Sequence, residues 1–333
     1  IAECGLEGSK GVATPVVKPA FHELEADVAL RQGLHMAFRG SAARGNYLAA
    51  DRVDAQLACK EVCRWMSQPT DYSWQALKRV CRFLRSAPRL VYTYPYQETG
   101  GVDVYTDTDW AGCPKTREST SGSSVMFGSH LIKHWSSIQT SVALSSGEAE
   151  FAGVIRGAGQ GLGYQALLHD LVVKAHLRVW TDSSAAIGIC TRQGLGKLRH
   201  LDTHTLWTQQ AVRMNRVDLR KVLGGENPSD LLTKHGVSRE RLDKLVKLHG
   251  CGYRDGRSEL APLARTRKPD RTTMANADKT VGSVNKVSSS ERVERVCQGG
   301  SGAELFGSAP LTLAADLLRW IQAAVVKRAM THV

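Results

Sequence analysis

The sequence lacks several features that mark common protein classes. None of its eight cysteines forms a CxxC pair, and no histidine spacing completes a zinc knuckle. No apolar run approaches the roughly 18 residues that a membrane-spanning helix needs. The first residues show no charged segment followed by an apolar run, so no secretory signal is visible. We therefore expect reduced thiols in an intracellular protein without membrane contact.

Acidic residues are also scarce relative to basic ones. The chain has 44 Lys and Arg against 32 Asp and Glu, which gives a formal net charge of +12. Excess positive charge favours a polyanionic partner through phosphate contacts and counterion release. The balance alone is weak support, because many basic proteins bind nucleic acid only incidentally. A hydrophobic content of 42% agrees with one or two domains that have ordinary cores.

Residues 1–98 are interpreted as a helical region. Thr70 or Asp71 can cap a helix that runs to about Ser86. Three basic side chains follow one another along this helix at helical spacing: Lys78, Arg82 and Arg85. This stripe could follow a phosphate backbone, and a solvated helix face explains it equally well.

A break at Gly100 and Gly101 predicts a domain boundary, and residues 99–253 form the second unit. Three strands come first, then a long helix, the strand LRVWTD, further helices, the strand VDLRKV and a helix from Pro228. Strands followed by alternating helices and strands predict an α/β fold with a mixed sheet.

Residues 254–333 form a basic, low-complexity tail. Arg, Ser, Thr, Gly and Lys dominate it, and large apolar residues are few. We expect it to be largely disordered apart from an amphipathic helix over 311–330.

Four acidic residues stand where a strand or helix should carry them to the sheet. They are Asp107, Glu148, Asp182 and Asp230. The first lies in mid-strand, the second begins the long helix, the third ends a strand and the fourth lies in a first helical turn. Each also has a structural explanation as an edge residue, a cap or a partner of the helix dipole. Because ligands gather at the carboxyl ends of strands in α/β sheets, we interpret the four as one site.

Glu148, rather than Glu150, is expected to face the sheet. The apolar stripe of the long helix includes Phe151 and Ile155, and Glu148 continues it three residues earlier. Glu150 lies about 200° away around the helix, so we expect it to point to solvent.

A group of carboxylates suits magnesium. Mg²⁺ prefers hard oxygen ligands and completes its octahedron with water and phosphate, so neither His nor Cys is needed. Two such ions, roughly 3.5–4 Å apart, activate water and stabilise the leaving oxygen of a phosphodiester. We expect two Mg²⁺ ions, with Mn²⁺ as a substitute.

Six stretches around these acids follow an order and spacing typical of one family: YTDTDWAG, REST-SG at 117–122, ALSSGEAEF, TDSSAAI, RHLDTH and NPSDLLTK. In them the chain resembles the ribonuclease H domain of copia-type (Ty1/copia) retrotransposon Pol polyproteins. Residues 1–98 look like the thumb and connecting region that ends the reverse transcriptase of the same family. No YxDD polymerase motif is present, and the chain begins without Met. We expect a fragment of a longer reading frame that does not polymerise alone.

The resemblance implies a ribonuclease H-like mixed five-stranded sheet flanked by helices, and endonucleolytic hydrolysis of the RNA strand of RNA/DNA hybrids. It implies Asp107 and Asp182 as core metal ligands, Glu148 as the helix carboxylate and Asp230 as the residue that closes the second metal site. The expected partners are the hybrid and the polymerase portion of the polyprotein. By analogy the chain would occur in cytoplasmic virus-like particles or in the nucleus. Five residues are expected to contact nucleic acid: Lys78, Arg82, Arg85, Ser146 and Ser183.

The sequence departs from the pattern at one position and leaves alternatives open. Many ribonucleases H have a His ten residues before the final Asp, and here that residue is Arg220. His200 and His204 are either functional or merely structural. A catalytically inactive nucleic-acid-binding remnant is the second hypothesis, which the presence of all four acids disfavours. A transposase or integrase is the third, and it is disfavoured because those enzymes place Glu after two Asp.

Overall fold

The computed structural model describes residues 4–6, 8–98, 100–196 and 198–256. Apart from residues 254–256, the tail expected to be disordered and its helix over 311–330 lie outside the described residues. Within the described ranges, no helix is long and apolar enough to cross a membrane.

The first part of the chain is mainly helical. Its elements are α1 (Phe21–Glu25), α2 (Gln32–Ala49), α3 (Gln56–Cys63), α4 (Asp71–Ser86) and the short strand β1 (Arg89–Tyr92). The helix predicted to start at Thr70 is α4, and the Thr70 side chain accepts a hydrogen bond from the Ser73 amide. Apolar residues of α2, α3 and α4 form one buried cluster. The strand β1 was not expected, because its pairing partner, residues 251–254, lies far away in the sequence.

A mixed five-stranded sheet follows. It consists of β2 (Gly101–Asp109), β3 (Thr120–Phe127), β4 (His130–Ile138), β5 (His176–Thr181) and β6 (Asp218–Lys221). The spatial order is β4-β3-β2-β5-β6. The first three strands pair antiparallel, whereas β5 runs parallel to both β2 and β6. The predicted mixed sheet flanked by helices is confirmed.

Helices cover both faces of the sheet. On one face lie α5 (Ser146–Asp170), α6 (Ser184–Thr191) and α7 (Trp207–Arg213). On the other lie a short 3₁₀ helix (Pro228–Leu232) and α8 (Arg239–Leu248), which is followed by β7 (Cys251–Arg254). The helix predicted from Pro228 is therefore only a 3₁₀ turn, and the α-helix starts later, at Arg239.

A glycine face lets α5 lie very close to β2. Gly153, Gly157 and Gly161 follow one another at a spacing of four, so they share one side of the helix. A Cβ atom added at Gly157 would lie 2.6 Å from Thr106 Cγ2, and one at Gly153 would lie 2.7 Å from Thr108 Oγ1. Larger side chains on this face would push the helix away from the strand.

Substitution of Gly157 tests this close contact. We expect Gly157→Ala to lower the free energy of unfolding by about 1–3 kcal/mol, because the added methyl overfills a packed interface. A Cβ atom added at Gly163, in the same helix, would have no neighbouring atom within 4 Å. Gly163→Ala should therefore raise stability by up to about 1 kcal/mol through helix propensity. Urea unfolding of both variants measures the difference, and equal effects would contradict the close contact.

A buried histidine should make the fold sensitive to acid. Nδ1 of His249 donates to the Leu245 carbonyl at 2.9 Å, and the Ser124 hydroxyl donates to Nε2 at 2.7 Å. Burial lowers the pKa of His249 from 6.5 to about 4. Between these values the unfolded chain binds a proton that the folded chain does not, so stability falls as the pH falls, by at most about 1.4 kcal/mol per pH unit.

Urea unfolding at pH 7.5, 6.0 and 5.0 checks this expectation. His249→Asn should show a shallower loss of stability over this range than the parent chain, whatever its stability at pH 7.5. The same pH dependence in both proteins would show that His249 is not responsible.

Candidate metal centre

Asp107 stands at the centre of the site. It lies near the end of the central strand β2 and is buried. Its Oδ2 atom accepts a hydrogen bond from the Thr233 hydroxyl, and Lys234 Nζ lies 3.3 Å from each of its carboxylate oxygens. Gly122 pairs with Asp107 across β2 and β3. It leaves room for the chain segment that carries Thr233 and Lys234, because a Cβ atom at Gly122 would lie 2.6 Å from Leu232 Cβ.

Asp182 and Glu150 join Asp107. Asp182 directly follows β5, and the parallel register that pairs Tyr105 with Trp180 places it level with Asp107. Glu150 comes from the first turns of α5. One carboxylate oxygen from each of the three residues lies within 4.8 Å of the others, close enough for a shared metal ion.

The structure thus places Glu150, and not Glu148, in the carboxylate group. Glu148 is buried, as expected, but its Oε2 atom accepts a hydrogen bond from the Leu144 amide at 3.0 Å and lies 3.1 Å from His200 Nε2. The expectation that Glu150 points to solvent is wrong, because its Oε2 atom is buried.

The glycine face of α5 explains why Glu150, and not Glu148, joins Asp107 and Asp182. At 100° per residue, Glu150 lies about 20° from Gly157 around the helix, whereas Glu148 lies about 180° from it. The glycines contact the strand that carries Asp107. A run of glycines at a spacing of four was the sequence signal that could have identified Glu150.

Negative charge is concentrated at this site. Burial, and then the charges of Asp107 and Asp182, raise the pKa of Glu150 from 4.5 to about 8. Burial and the charge of Asp107 also raise the pKa of Asp182. Burial alone would lower the pKa of Lys234, but Asp107 and Asp230 raise it. Glu150 Oε2 has no hydrogen-bond partner among the described residues. A divalent cation would supply the missing positive charge.

Asp230 lies at the edge of the group. It belongs to the 3₁₀ helix, and its pKa is raised by burial and by the charge of Asp107. Its Oδ2 atom accepts a hydrogen bond from Arg241 Nη2 at 2.8 Å, while Oδ1 is buried and has no partner in the described part of the chain. One oxygen of Asp230 is therefore available beside the other three carboxylates.

The residues expected to contact nucleic acid fall into two groups. Ser146 is the exposed first residue of α5, and Ser183 caps α6 by accepting a hydrogen bond from the Ala186 amide. Both stand at helix starts near the carboxylates. On α4, Lys78 is partly exposed, whereas Arg82 and Arg85 donate to the backbone carbonyls of an N-terminal segment. The stripe on α4 therefore does not act as three equivalent cations.

The remaining candidates have structural partners. His200 lies beside Glu148, and His204 Nδ1 is 3.7 Å from Asp202 Oδ2 at the surface. Arg220 pairs with Asp218 and lies 5.5 Å from the centre of the Trp180 ring. These contacts account for the arginine without a role in the carboxylate group.

No family model matches the chain. It is 28% identical over 237 residues to the retrovirus-related Pol polyprotein from transposon RE2 of Arabidopsis thaliana, covering 70% of this chain and 16% of that protein. It is 29% identical over 209 residues to the corresponding polyprotein from transposon TNT 1-94 of Nicotiana tabacum, covering 61% and 15%. The chain spans roughly one-sixth of these relatives. Among solved structures, LC11-RNase H1 isolated from compost is 15% identical to this chain, with a TM-score of 0.30. The alignment covers 44% of this chain and 97% of the LC11-RNase H1 chain.

Metal-dependent stabilisation distinguishes the two glutamates. We expect Mn²⁺ at about 100 times its Kd to raise the free energy of unfolding of the parent chain by roughly 2.7 kcal/mol. Glu150→Gln should lose most of this gain, because it removes one of three clustered carboxylates. Glu148→Gln is the matched control and should keep it. Urea unfolding of both variants in Mn²⁺ and in EDTA measures the gain in stability from the metal. If Glu148→Gln lost the gain and Glu150→Gln kept it, Glu148 would be the ligand.

Proposed function

We propose that this chain, which belongs to the copia-type retrotransposon Pol polyproteins, cuts the RNA strand of RNA/DNA hybrids internally by metal-dependent hydrolysis. The observation that carries the proposal is the group of Asp107, Glu150 and Asp182. Asp107 and Asp182 stand at the carboxyl ends of two parallel strands, and Glu150 reaches them from α5. Ligands gather at this edge in sheets of this type.

The donor set fits a hard divalent cation. All three grouped ligands are carboxylates, and Mg²⁺ or Mn²⁺ is held by such oxygens together with water and phosphate. The buried Glu150 Oε2 atom lacks a partner among the described residues. Burial first, and then repulsion between the carboxylates, raise the pKa values of Glu150 and Asp182, and a bound cation would offset both effects. Divalent cations bound there supply an activated water and stabilise the leaving oxygen of the phosphodiester.

The protein's own part is to place and orient the ligands. Thr233 and Lys234 hold the Asp107 carboxylate on the rigid central strand. The glycine face of α5 fixes the height of Glu150 above that strand. Asp182 follows the neighbouring strand directly, so its position depends little on loop conformation. Sites held by strands and packed helices keep the geometry that such a reaction requires.

Asp230 would serve a second cation. Its Oδ1 atom is buried and has no partner in the described ranges, while Arg241 holds its other oxygen. We therefore assign the second metal position to Asp230 and Asp107, with two Mg²⁺ ions in all. Arg241 lowers the pKa of Asp230, against the larger effects of burial and of the Asp107 charge.

The proposed substrate is a hybrid made by the polymerase portion of the same polyprotein. Excess positive charge suits a nucleic acid partner. Groups at the starts of α5 and α6, including the exposed Ser146 and the partly exposed Ser183, would contact the nucleic acid backbone beside the carboxylates. The 2′-hydroxyl and the groove shape of the hybrid are the features that distinguish its RNA strand.

Cleavage of an end-labelled RNA/DNA hybrid by the full chain tests the proposal. We expect cutting of the RNA strand in Mg²⁺ or Mn²⁺, none in EDTA and none of double-stranded DNA. Asp182→Asn and Glu150→Gln should each lower kcat by at least about a hundredfold, since each removes a ligand of the activating ion.

Glu148→Gln is the internal control for this assay and should retain cutting. A folded chain that binds the hybrid but leaves its RNA intact in both metals would favour the inactive binding remnant instead.

A further inference from the structure

A large cleft adjoins the proposed active site. Its volume is about 1140 Å³, and it lies between α4 and the loop of residues 112–116 that follows β2. Thr120, which pairs with Asp109, also lines it. Since Asp109 is two residues from Asp107, this part of the cleft lining lies at the same end of β2 as the carboxylate group. We call this space the basic cleft, after its cationic lining residues Lys18, Arg64, Lys78, Arg79, Arg82 and Lys115.

Most of these cations lack an acidic partner. Among the described residues, Arg64 forms salt bridges with Glu61 and Glu118, and the other five form none. Arg79 donates to Thr14 Oγ1 at 3.1 Å, while its Nε atom is buried without a partner in the described part of the chain. Burial and the nearby charge of Arg82 lower the pKa of Arg79. Such crowding of like charges is costly unless an anion compensates it.

Four acidic residues also line the cleft: Glu23, Asp27, Glu61 and Asp71. Glu61 contacts Lys60 and Arg64, and Asp27 Oδ1 accepts a hydrogen bond from the Tyr72 amide. Glu23 accepts one from the Ala20 amide. The six cations outnumber the four carboxylates, so the lining keeps a net positive charge.

Aromatic side chains lie among the cations. Lys115 Nζ is 5.6 Å from the centre of the Trp65 ring, and the Trp65 and Tyr72 rings meet edge to face at 6.0 Å. Both aromatic residues line the cleft. Grooves that combine cations with aromatic rings bind single-stranded nucleic acid, with phosphates on the cations and bases against the rings.

We propose that the basic cleft binds a single nucleic acid strand that extends beyond the hybrid held at the carboxylate group. This inference rests on the proposed function, because the strand is a continuation of the proposed substrate. Thr120 of the cleft lining pairs with Asp109, two residues beyond Asp107, so a strand bound at the carboxylate group would continue into the cleft.

Binding without catalysis tests the inference. Fluorescence anisotropy of the full chain in EDTA compares a blunt 12-base-pair RNA/DNA hybrid with the same hybrid bearing ten-nucleotide single-stranded DNA extensions. The test variant is Lys78→Gln/Lys115→Gln, which removes two cations from opposite walls. Lys174→Gln/Lys247→Gln is the control, because both lysines are exposed and lie outside the cleft.

We expect the test variant to bind the extended hybrid at least about tenfold more weakly at 0.1 M KCl, with a salt slope reduced by about 1.4. Its affinity for the blunt hybrid, and both affinities of the control variant, should stay unchanged. An unchanged affinity for the extended hybrid, or an equal loss on both hybrids, would overturn the inference. Because no metal is present, these outcomes are independent of whether the chain cleaves RNA.

Discussion

The contact between the glycine face of α5 and the central strand β2 determines the rest of the site. Gly153 and Gly157 allow the helix backbone to approach Thr108 and Thr106 at distances that a side chain would prevent. With the helix this close to β2, Glu150 reaches Asp107. Glu148 lies on the opposite side of the helix, where it contacts Leu144 and not the carboxylate group. Packing without side chains therefore selects which glutamate belongs to the site.

The second constraint is charge. Asp107, Glu150 and Asp182 lie together with Asp230 nearby, and Lys234 is the cation in direct contact with Asp107. Buried carboxylates in such proximity cannot all stay ionised without further positive charge, which is why the pKa of Glu150 rises to about 8. The protein therefore carries an electrostatic cost that divalent cations would remove. Such a cost is typical of a functional site, because folding alone gains nothing from it.

Most of the sheet could be predicted from the sequence because its strands and helices have local signals. Alternation marks β2, the cap at Thr70 marks the start of α4, and Ser145 marks the start of α5. Asp107 and Asp182 were identifiable because local strand signals place the first within a strand and the second at the end of one. Contacts between distant segments gave no such signal. The strand β1 depends on a partner about 160 residues later in the chain, and the seven-residue α7 starts only after a 3₁₀ turn.

Glu150 was missed for a different reason. The periodicity of large apolar residues predicts one sheet-facing side of α5, although glycines can mark that side as well. Helices that approach a strand closely do so through their smallest residues, and the apolar stripe then packs to one side. The basic stripe on α4 was ambiguous in a similar way, since only the structure distinguishes Arg82, which holds a backbone carbonyl, from Lys78, which does not.

The position of a bound metal ion tests the account most directly. Crystals of the full chain grown with Mn²⁺ would be measured near the manganese absorption edge, where anomalous scattering locates the ion without assumptions about its ligands. We expect a peak coordinated by Asp107, Glu150 and Asp182. A peak coordinated by Glu148, or no peak between these three carboxylates at saturating Mn²⁺, would contradict the account.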